Sequence, residues 1–168
     1  MNPDDAATYA AWLNDLGLTR YLAMAGMQIG IEEERKALER LAKEPNFSIV
    51  DAATDALLGS CGLMEIDNVH RRAACGIFLG DRTTWGKGYG SEALSLLVDY
   101  GFNLLNLRSI HLWTYDYNER AIASYKKVGF KEAGRLRKSH YYGGEYHDEI
   151  LMDILAEEFG PSRLPPVK

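Results

Sequence analysis

The stretch 85-WGKGYGSEAL-94 decides how this chain is read: Gly86, Gly88 and Gly90 alternate with Trp85, Lys87 and Tyr89, and a run of helical period follows. Glycine loses more freedom on ordering than any other residue, so three of them at a helix entrance mark backbone that no side chain may cover. A helix begun there presents unsatisfied N–H groups and the positive end of its dipole, which together make a phosphate site. Lys87 adds a full charge beside it.

Two phosphate motifs are tested first. The P-loop needs GK[ST], and Gly86-Lys87 is followed by Gly88, so it fails. The dinucleotide fingerprint fits loosely, because residues 88–93 read G-x-G-x-x-A and Asp116 follows the next strand. The glycines, however, come after a run of strands and the loop 81-DRTTW-85 rather than directly after a first strand, which leaves a dinucleotide-binding oxidoreductase as a minor alternative.

Working outward, Ala93, Leu94, Leu97, Val98, Gly101, Leu104 and Leu105 form one apolar face, with Glu92, Ser95, Asp99 and Asn103 opposite, so a helix spans 91–105. The run 109–115 reads as a strand and 118–130 as a short helix closed by Gly129. Residues 133–142 and 146–155 read as strands around the Gly143-Gly144 turn. Upstream, 46-NFSIVDA-52, 57-LLGSCGLMEID-67 and 72-RAACGIFLG-80 read as an antiparallel meander. The strand at 72–80, the helix and the strand at 109–115 form one βαβ unit, making those strands parallel neighbours. Two further helices are expected at 4–14 and 31–44, the second with Glu32, Glu33 and Glu34 in its first turn. Between them, 17-GLTRYLAMAGMQIG-30 has no clean period and reads as core filler, with a site wall as the alternative. The fold class is α/β, an α+β mixed sheet with helices on both faces.

At 168 residues, 46% hydrophobic and 26% charged, the chain fits one globular domain, set at 1–160, with the proline-containing residues 161–168 as an extended tail. A net charge of −5, from 24 acidic and 19 basic residues, argues against nucleic acid and against anionic membrane surfaces. The start 1-MNPDDAATYAAWLND-15 has neither a basic nor an apolar leader region, and the expected compartment is the cytoplasm. Cys61 and Cys75 sit inside apolar runs and read as buried thiols. His70, His111, His140 and His147 lack ligand spacing, so no metal is expected.

With these residues in place, 85-WGKGYGSEAL-94 resembles the pyrophosphate loop of the GNAT N-acetyltransferases. The segment 118-NERAIASYKKVGF-130 resembles their later cofactor segment, N-x-x-A-x-x-x-Y-x-K-x-G-F. The run 144-GEYHDEILMDIL-155 is similar to the closing strand of the branch that includes ribosomal-protein N-terminal and spermidine acetyltransferases. The similarity covers roughly residues 4–156. It implies the GNAT fold and acetyl-CoA as co-substrate, with pyrophosphate on the backbone of Gly86, Lys87, Gly88, Tyr89, Gly90 and Ser91. It further implies pantetheine along the main chain of Ile77, Phe78 and Leu79, and an acceptor that is a small amine or a peptide N-terminus. The branch often pairs subunits, which implies a homodimer. Trp85 stands where the family usually has Gln or Arg, and the resemblance implies that the chain begins after the family's usual first strand.

Acetyl transfer needs a neutral amine, a stabilised oxyanion and a proton for the leaving thiolate. The resemblance assigns the last task to Tyr125. Asn118 is expected at the pantetheine amide, freed from capping by an Asp116/Glu119 box, and Lys127 at a phosphate. Ala74 stands where relatives often carry a Glu. Glu65, Asp67, His147, Asp148 and Glu149 are therefore the candidate bases, with Glu65 taken first, and a non-catalytic CoA-binding protein is the alternative.

Overall fold

The computed structural model describes residues 1–163. Five helices and six strands follow in the order α1 (Ala6–Leu13), α2 (Leu16–Thr19), α3 (Ile31–Leu41), β1 (Asn46–Val50), β2 (Leu57–Asp67), β3 (Arg72–Leu79), α4 (Tyr89–Asn103), β4 (Ser109–Tyr115), α5 (Glu119–Val128), β5 (Lys131–Tyr142) and β6 (Glu145–Leu155). The strands are ordered β1-β2-β3-β4-β6-β5. The expected meander, parallel βαβ unit and terminal hairpin are all present. The chain divides into two compact units, Met1–Gly62 with Ile77–Tyr89, and Leu63–Gly76 with Gly90 onward.

In the first unit, α1 and α3 bury Ala6, Tyr9 and Leu38 together, with Met1, Trp12 and Leu57 against them. The Tyr9 hydroxyl donates to the Gly59 carbonyl at 2.8 Å, so the one polar atom of a buried ring is satisfied. Trp12 meets Tyr9 and Phe78 edge-on at 5.5 and 6.2 Å. A Cβ built on Gly80 would lie 2.0 Å from the Trp12 ring, which is why the strand ends on glycine. α3 opens with the Glu33 carboxylate accepting from Gly30 N–H at 3.3 Å. β1 pairs antiparallel with β2 from Asn46↔Gly62, with an irregularity between Ile49 and Val50. Of the stretch 17–30 read as core filler, Leu18 and Thr19 are buried, whereas residues 20–30 bury no side chain and Met27 is 62% exposed, so that reading is corrected from residue 20 onward. Its ends are tied instead by Asn14, whose amide exchanges two 2.9 Å hydrogen bonds with the Ile29 backbone.

In the second unit, β4 and β6 pair antiparallel over seven residues and bring Ile110↔Ile154, Leu112↔Met152 and Thr114↔Ile150 onto one buried face. α4 lies on that face: a Cβ on Gly101 would come within 2.7 Å of the Ile110 side chain. β3 pairs parallel with β4 from Arg72↔Ser109 to Ala74↔His111.

Asp99, expected on the polar side of α4, is only 1% exposed. The cause is the C-terminal segment. Ser162 Oγ and Arg163 N–H donate to the Asp99 carboxylate at 2.8 and 2.7 Å, Asn103 donates at 2.6 Å, and Phe159 meets Phe102 at 5.8 Å. The expected tail 161–168 is thus pinned at Ser162 and Arg163, and its remainder lies outside the described residues. Burial works against the Asp99 charge, but the Arg163 N–H, Ser162 hydroxyl and Asn103 amide outweigh it and hold the carboxyl below its ordinary range. A depressed folded-state pKa gives stability that is present above the unfolded carboxyl value and is lost as pH falls through the folded one. Asp99→Asn should therefore cost about 2 kcal/mol at neutral pH and flatten the loss of stability below about pH 4. Thermal melts at both pH values check this, and an acid limb as steep as the parent's would refute it.

Candidate active site

The glycine loop lies mostly in the first unit. Gly86 and Gly88 have φ of +76° and +96°, and a Cβ built on either meets nothing within 4 Å. Glycine is required there by backbone conformation, and the space beside the backbone is open. The side chains around them are held from outside. Trp85 Nε1–H donates to the Leu79 carbonyl at 3.1 Å, and the Tyr89 hydroxyl donates to the Asp51 carboxylate. Asp81 caps the preceding turn through Thr83 N–H at 2.8 Å. The Tyr89 hydroxyl is the first cause, ahead of the Ala53 and Thr54 donors, that keeps the Asp51 carboxyl below its usual range. Lys87 is exposed, and its charge is the last of the causes holding Asp81 low. Ile77, Phe78 and Leu79 are half-buried. α4 begins at Tyr89, and the N–H groups that open a helix have no acceptor in a preceding helical turn. Gly90 and Ser91 belong to this first turn.

The second unit carries the other expected residues. Tyr125 is 8% exposed on α5, with Phe130 at 6.2 Å. Burial drives its hydroxyl well above the ordinary tyrosine range, the Cys75 thiol adds to the push, and Arg120 opposes it. Asn118 stands at the N-cap of α5 but makes no capping bond with its side chain; it is 8% exposed and its Oδ1 has no partner among the described residues. The expected Asp116/Glu119 capping box does not form, because Asp116 Oδ2 accepts from Asp148 N–H at 3.1 Å. Asn118 is free for another reason than the one expected. Lys127 is exposed, and so is Glu65, whose φ of +53° marks an irregularity in β2. Asp67 and Asp148 are held low, the former first by His70 N–H and the latter first by Lys138 N–H, so both are poor proton acceptors at neutral pH. Cys61 and Cys75 are buried free thiols, and burial pushes Cys61 up to about 11.

Two features escaped the sequence reading. Asp51, the partner of Tyr89, is 38 residues away and carries only a turn signal. A set of rings gathers Tyr115, Tyr117, His140, Tyr142 and His147, and the tyrosine-rich runs 114-TYDYN-118 and 139-SHYYGGEYH-147 were its available signal. Among the described residues no group of three or more His, Cys, Asp or Glu could hold a metal, and no helix is long and apolar enough to cross a membrane.

The sequence and the fold have counterparts in known proteins. The acetyltransferase (GNAT) domain family model matches residues 1–131. An N-acetyltransferase of undetermined role, p20 of Bacillus licheniformis, is 30% identical over 95% of this chain and 92% of its own length. Spermidine N(1)-acetyltransferase of Escherichia coli K12 is 38% identical over 60% of this chain, a match that spans 54% of that protein. The crystal structure of spermidine N-acetyltransferase from Vibrio cholerae in complex with CoA and spermine superposes with a TM-score of 0.84, at 26% identity, over 94% of both chains. The chain belongs to the GNAT acetyltransferases, the family of enzymes that move an acetyl group from acetyl-CoA to an amine.

Proposed function

We propose that this chain binds acetyl-CoA with its pyrophosphate on the backbone of residues 86–91 and transfers the acetyl group directly to a primary amine, either a small amine or polyamine or a peptide N-terminus. The observation that carries the cofactor half is the pair Gly86 and Gly88, both at positive φ with empty space where a Cβ would stand. Asn118 is the expected pantetheine contact in this reading, since a buried Oδ1 with no partner among the described residues calls for a donor such as an amide. The main chain of Ile77, Phe78 and Leu79, the side of Trp85 and the Lys127 ammonium complete the cofactor contacts in this reading.

Acetyl-CoA supplies a thioester whose carbonyl carbon is open to attack. The amine nitrogen forms the new C–N bond, the C–S bond breaks, and the thiolate takes a proton. Tyr125 holds that proton. On reference values a tyrosine is about 1.5 pKa units weaker as an acid than a thiol, so full transfer would be uphill by about 2 kcal/mol. The surroundings that raise Tyr125 also disfavour a bare thiolate, which offsets the deficit as long as the two groups share them. Glu65 is the first candidate to accept the amine's proton, through water, since it is exposed on β2.

The reading includes a cytoplasmic homodimer, supported by the strand order, which ends on β1 and so leaves an edge strand. Sedimentation at high micromolar concentration should give twice the monomer mass, and monomer alone would remove the dimer. Gly88→Val should raise the Kd for acetyl-CoA at least tenfold, about 1.4 kcal/mol, because a β-branched residue strains the loop at φ +96° and puts a side chain into the open space beside the backbone. Unchanged affinity by calorimetry would remove the loop assignment. Tyr125→Phe keeps the ring packing and deletes the hydroxyl, so kcat should fall about 10²- to 10⁴-fold while the acetyl-CoA Kd and the melting temperature hold. Parental kcat in that variant would mean that the thiolate takes its proton from elsewhere.

A further inference from the structure

Tyr89 stands between Gly88 and Gly90, so neither neighbour has a side chain that could hold its backbone in place. Gly88 is at φ +96° with nothing within 4 Å of where a Cβ would stand. A contact that fixes this point of the chain comes from the far end of the tyrosine ring: the hydroxyl donates to Asp51 Oδ2, 38 residues away.

Asp51 is itself held, and by its other oxygen. Oδ1 accepts from the N–H groups of Ala53 and Thr54, both at 3.0 Å, and from the Thr54 hydroxyl at 3.1 Å. The backbone closes the same turn, with Asp51 N–H on the Ala56 carbonyl at 2.9 Å and Asp55 N–H on the Asp51 carbonyl at 2.8 Å. One carboxylate oxygen thus serves the turn and the other serves the glycine loop.

Strand pairing brings the two segments side by side. Val50 pairs with Leu57 across β1 and β2, and the turn 51–56 joins them. The next residue of β2, Leu58, accepts from Gly80 N–H at 2.9 Å, and the chain runs on from Gly80 into the glycine loop. Turn and loop therefore leave the same end of β2, and Asp51, Leu58, Gly80 and Tyr89 all belong to the first unit.

The chemistry of the pair decides its role. An aspartate facing a pyrophosphate would repel it, and a free tyrosine hydroxyl could donate to it. Here the Tyr89 proton is committed to Asp51, and both Asp51 oxygens are committed to donors. Neither side chain has a donor left for a phosphate. Their joint effect is on the place of the Tyr89 backbone, and a hydrogen bond to an ionised acceptor is strong enough to hold a rigid ring there. A loop ordered in advance subtracts less from the affinity of what binds it.

We infer that Asp51 is a positioning residue for the cofactor: acting through Tyr89, it holds the glycine loop where the backbone receives the pyrophosphate, and it touches no part of acetyl-CoA itself. The inference rests on the assignment of the pyrophosphate to residues 86–91 made above. It makes the exposed turn 52–56 part of the cofactor site in energy without contact.

Calorimetry with CoA, and with its nucleotide half adenosine 3′-phosphate 5′-diphosphate, tests this without turnover. Asp51→Ala and Tyr89→Phe should each raise the Kd for both ligands about tenfold. The double variant should bind no more weakly than the weaker single one, because both substitutions cut the same link. Tyr89→Phe keeps the turn and the ring, so it carries the test even if Asp51→Ala disturbs the turn. Asp51→Asn, whose amide can accept from the turn and pair with the hydroxyl, should stay within about threefold of the parent. Thr54→Ala removes a donor from the turn and leaves the link, so CoA affinity should hold within about twofold. In turnover, Asp51→Ala should raise the KM for acetyl-CoA in step with Kd, while kcat at saturation holds within about twofold. Unchanged CoA affinity in Tyr89→Phe, losses that multiply to about a hundredfold in the double variant, or an equal loss in Thr54→Ala would each overturn the positioning role. Gly88→Val separates that role from the loop assignment. Weaker CoA binding in Gly88→Val with parental affinity in Asp51→Ala and Tyr89→Phe strikes the positioning alone, whereas parental affinity in all of them strikes the loop assignment and the positioning with it.

Discussion

The antiparallel ladder between β4 and β6 is the interaction on which the second unit depends. Seven pairs run from Ser109↔Leu155 to Tyr115↔Glu149, and alternate pairs put Ile110, Leu112, Thr114, Ile150, Met152 and Ile154 on one buried face. A slip of one residue would turn all of them to solvent, so burial holds the register. The register then places everything at the end of β4. Asp116 N–H continues the pairing onto the Asp148 carbonyl, and Asp116 Oδ2 takes Asp148 N–H in return. That closure starts the turn into α5 and leaves Asn118 at the helix entrance with its Oδ1 unpaired. At the other end of α5, Gly129 at φ +117° is followed by Phe130, whose ring is buried beside Tyr125.

Buried ionisable groups in this molecule divide by whether donors reach them. Asp99 is as buried as any core residue, yet three donors keep it charged. Tyr125 is nearly as buried, and there burial is the first cause and pushes the hydroxyl well above its ordinary range. Glu34 on α3 is 6% exposed and burial alone raises its carboxyl. The contrast fits the proposed role of Tyr125 as proton donor rather than acceptor: burial outweighs the opposing charge of Arg120, so its surroundings favour the neutral form.

Much of the fold was legible because it rests on local rules. The glycine loop, the period of α4, the Gly129 stop and the Gly143-Gly144 turn each reflect backbone conformations that neighbours in sequence determine. What was not legible comes from groups distant in sequence. Asp99 sits at a polar position of its helix, and only Ser162 and Arg163, over sixty residues later, reveal why it is buried. The box expected of Asp116 and Glu119 had the right spacing, but Asp148 competes for the carboxylate and wins because the strand ladder already holds its N–H in place. Residues 20–30 have core-like composition, and their short turns give those side chains no layer to enter. Of the site, the loop and the α5 residues were visible as motifs. The ring set was not, because its members come from the end of one strand and both arms of a hairpin.

The glycine loop shows how a segment without side-chain contacts of its own at two positions can still be ordered. Gly86 and Gly88 touch nothing where side chains would be, so their order must come from the residues between and beside them. Trp85 is fastened to the Leu79 carbonyl and Tyr89 to Asp51, whose other carboxylate oxygen organises its own turn through Ala53 and Thr54 N–H. The anchors lie at both ends, and neither uses a loop N–H. Ordering cost is therefore met within the folded chain rather than at binding, which leaves more of any phosphate interaction to appear as affinity. It also explains how the loop tolerates Trp85 in place of a cationic or amide side chain: the indole holds the backbone still, and the backbone is the part that a phosphate would meet.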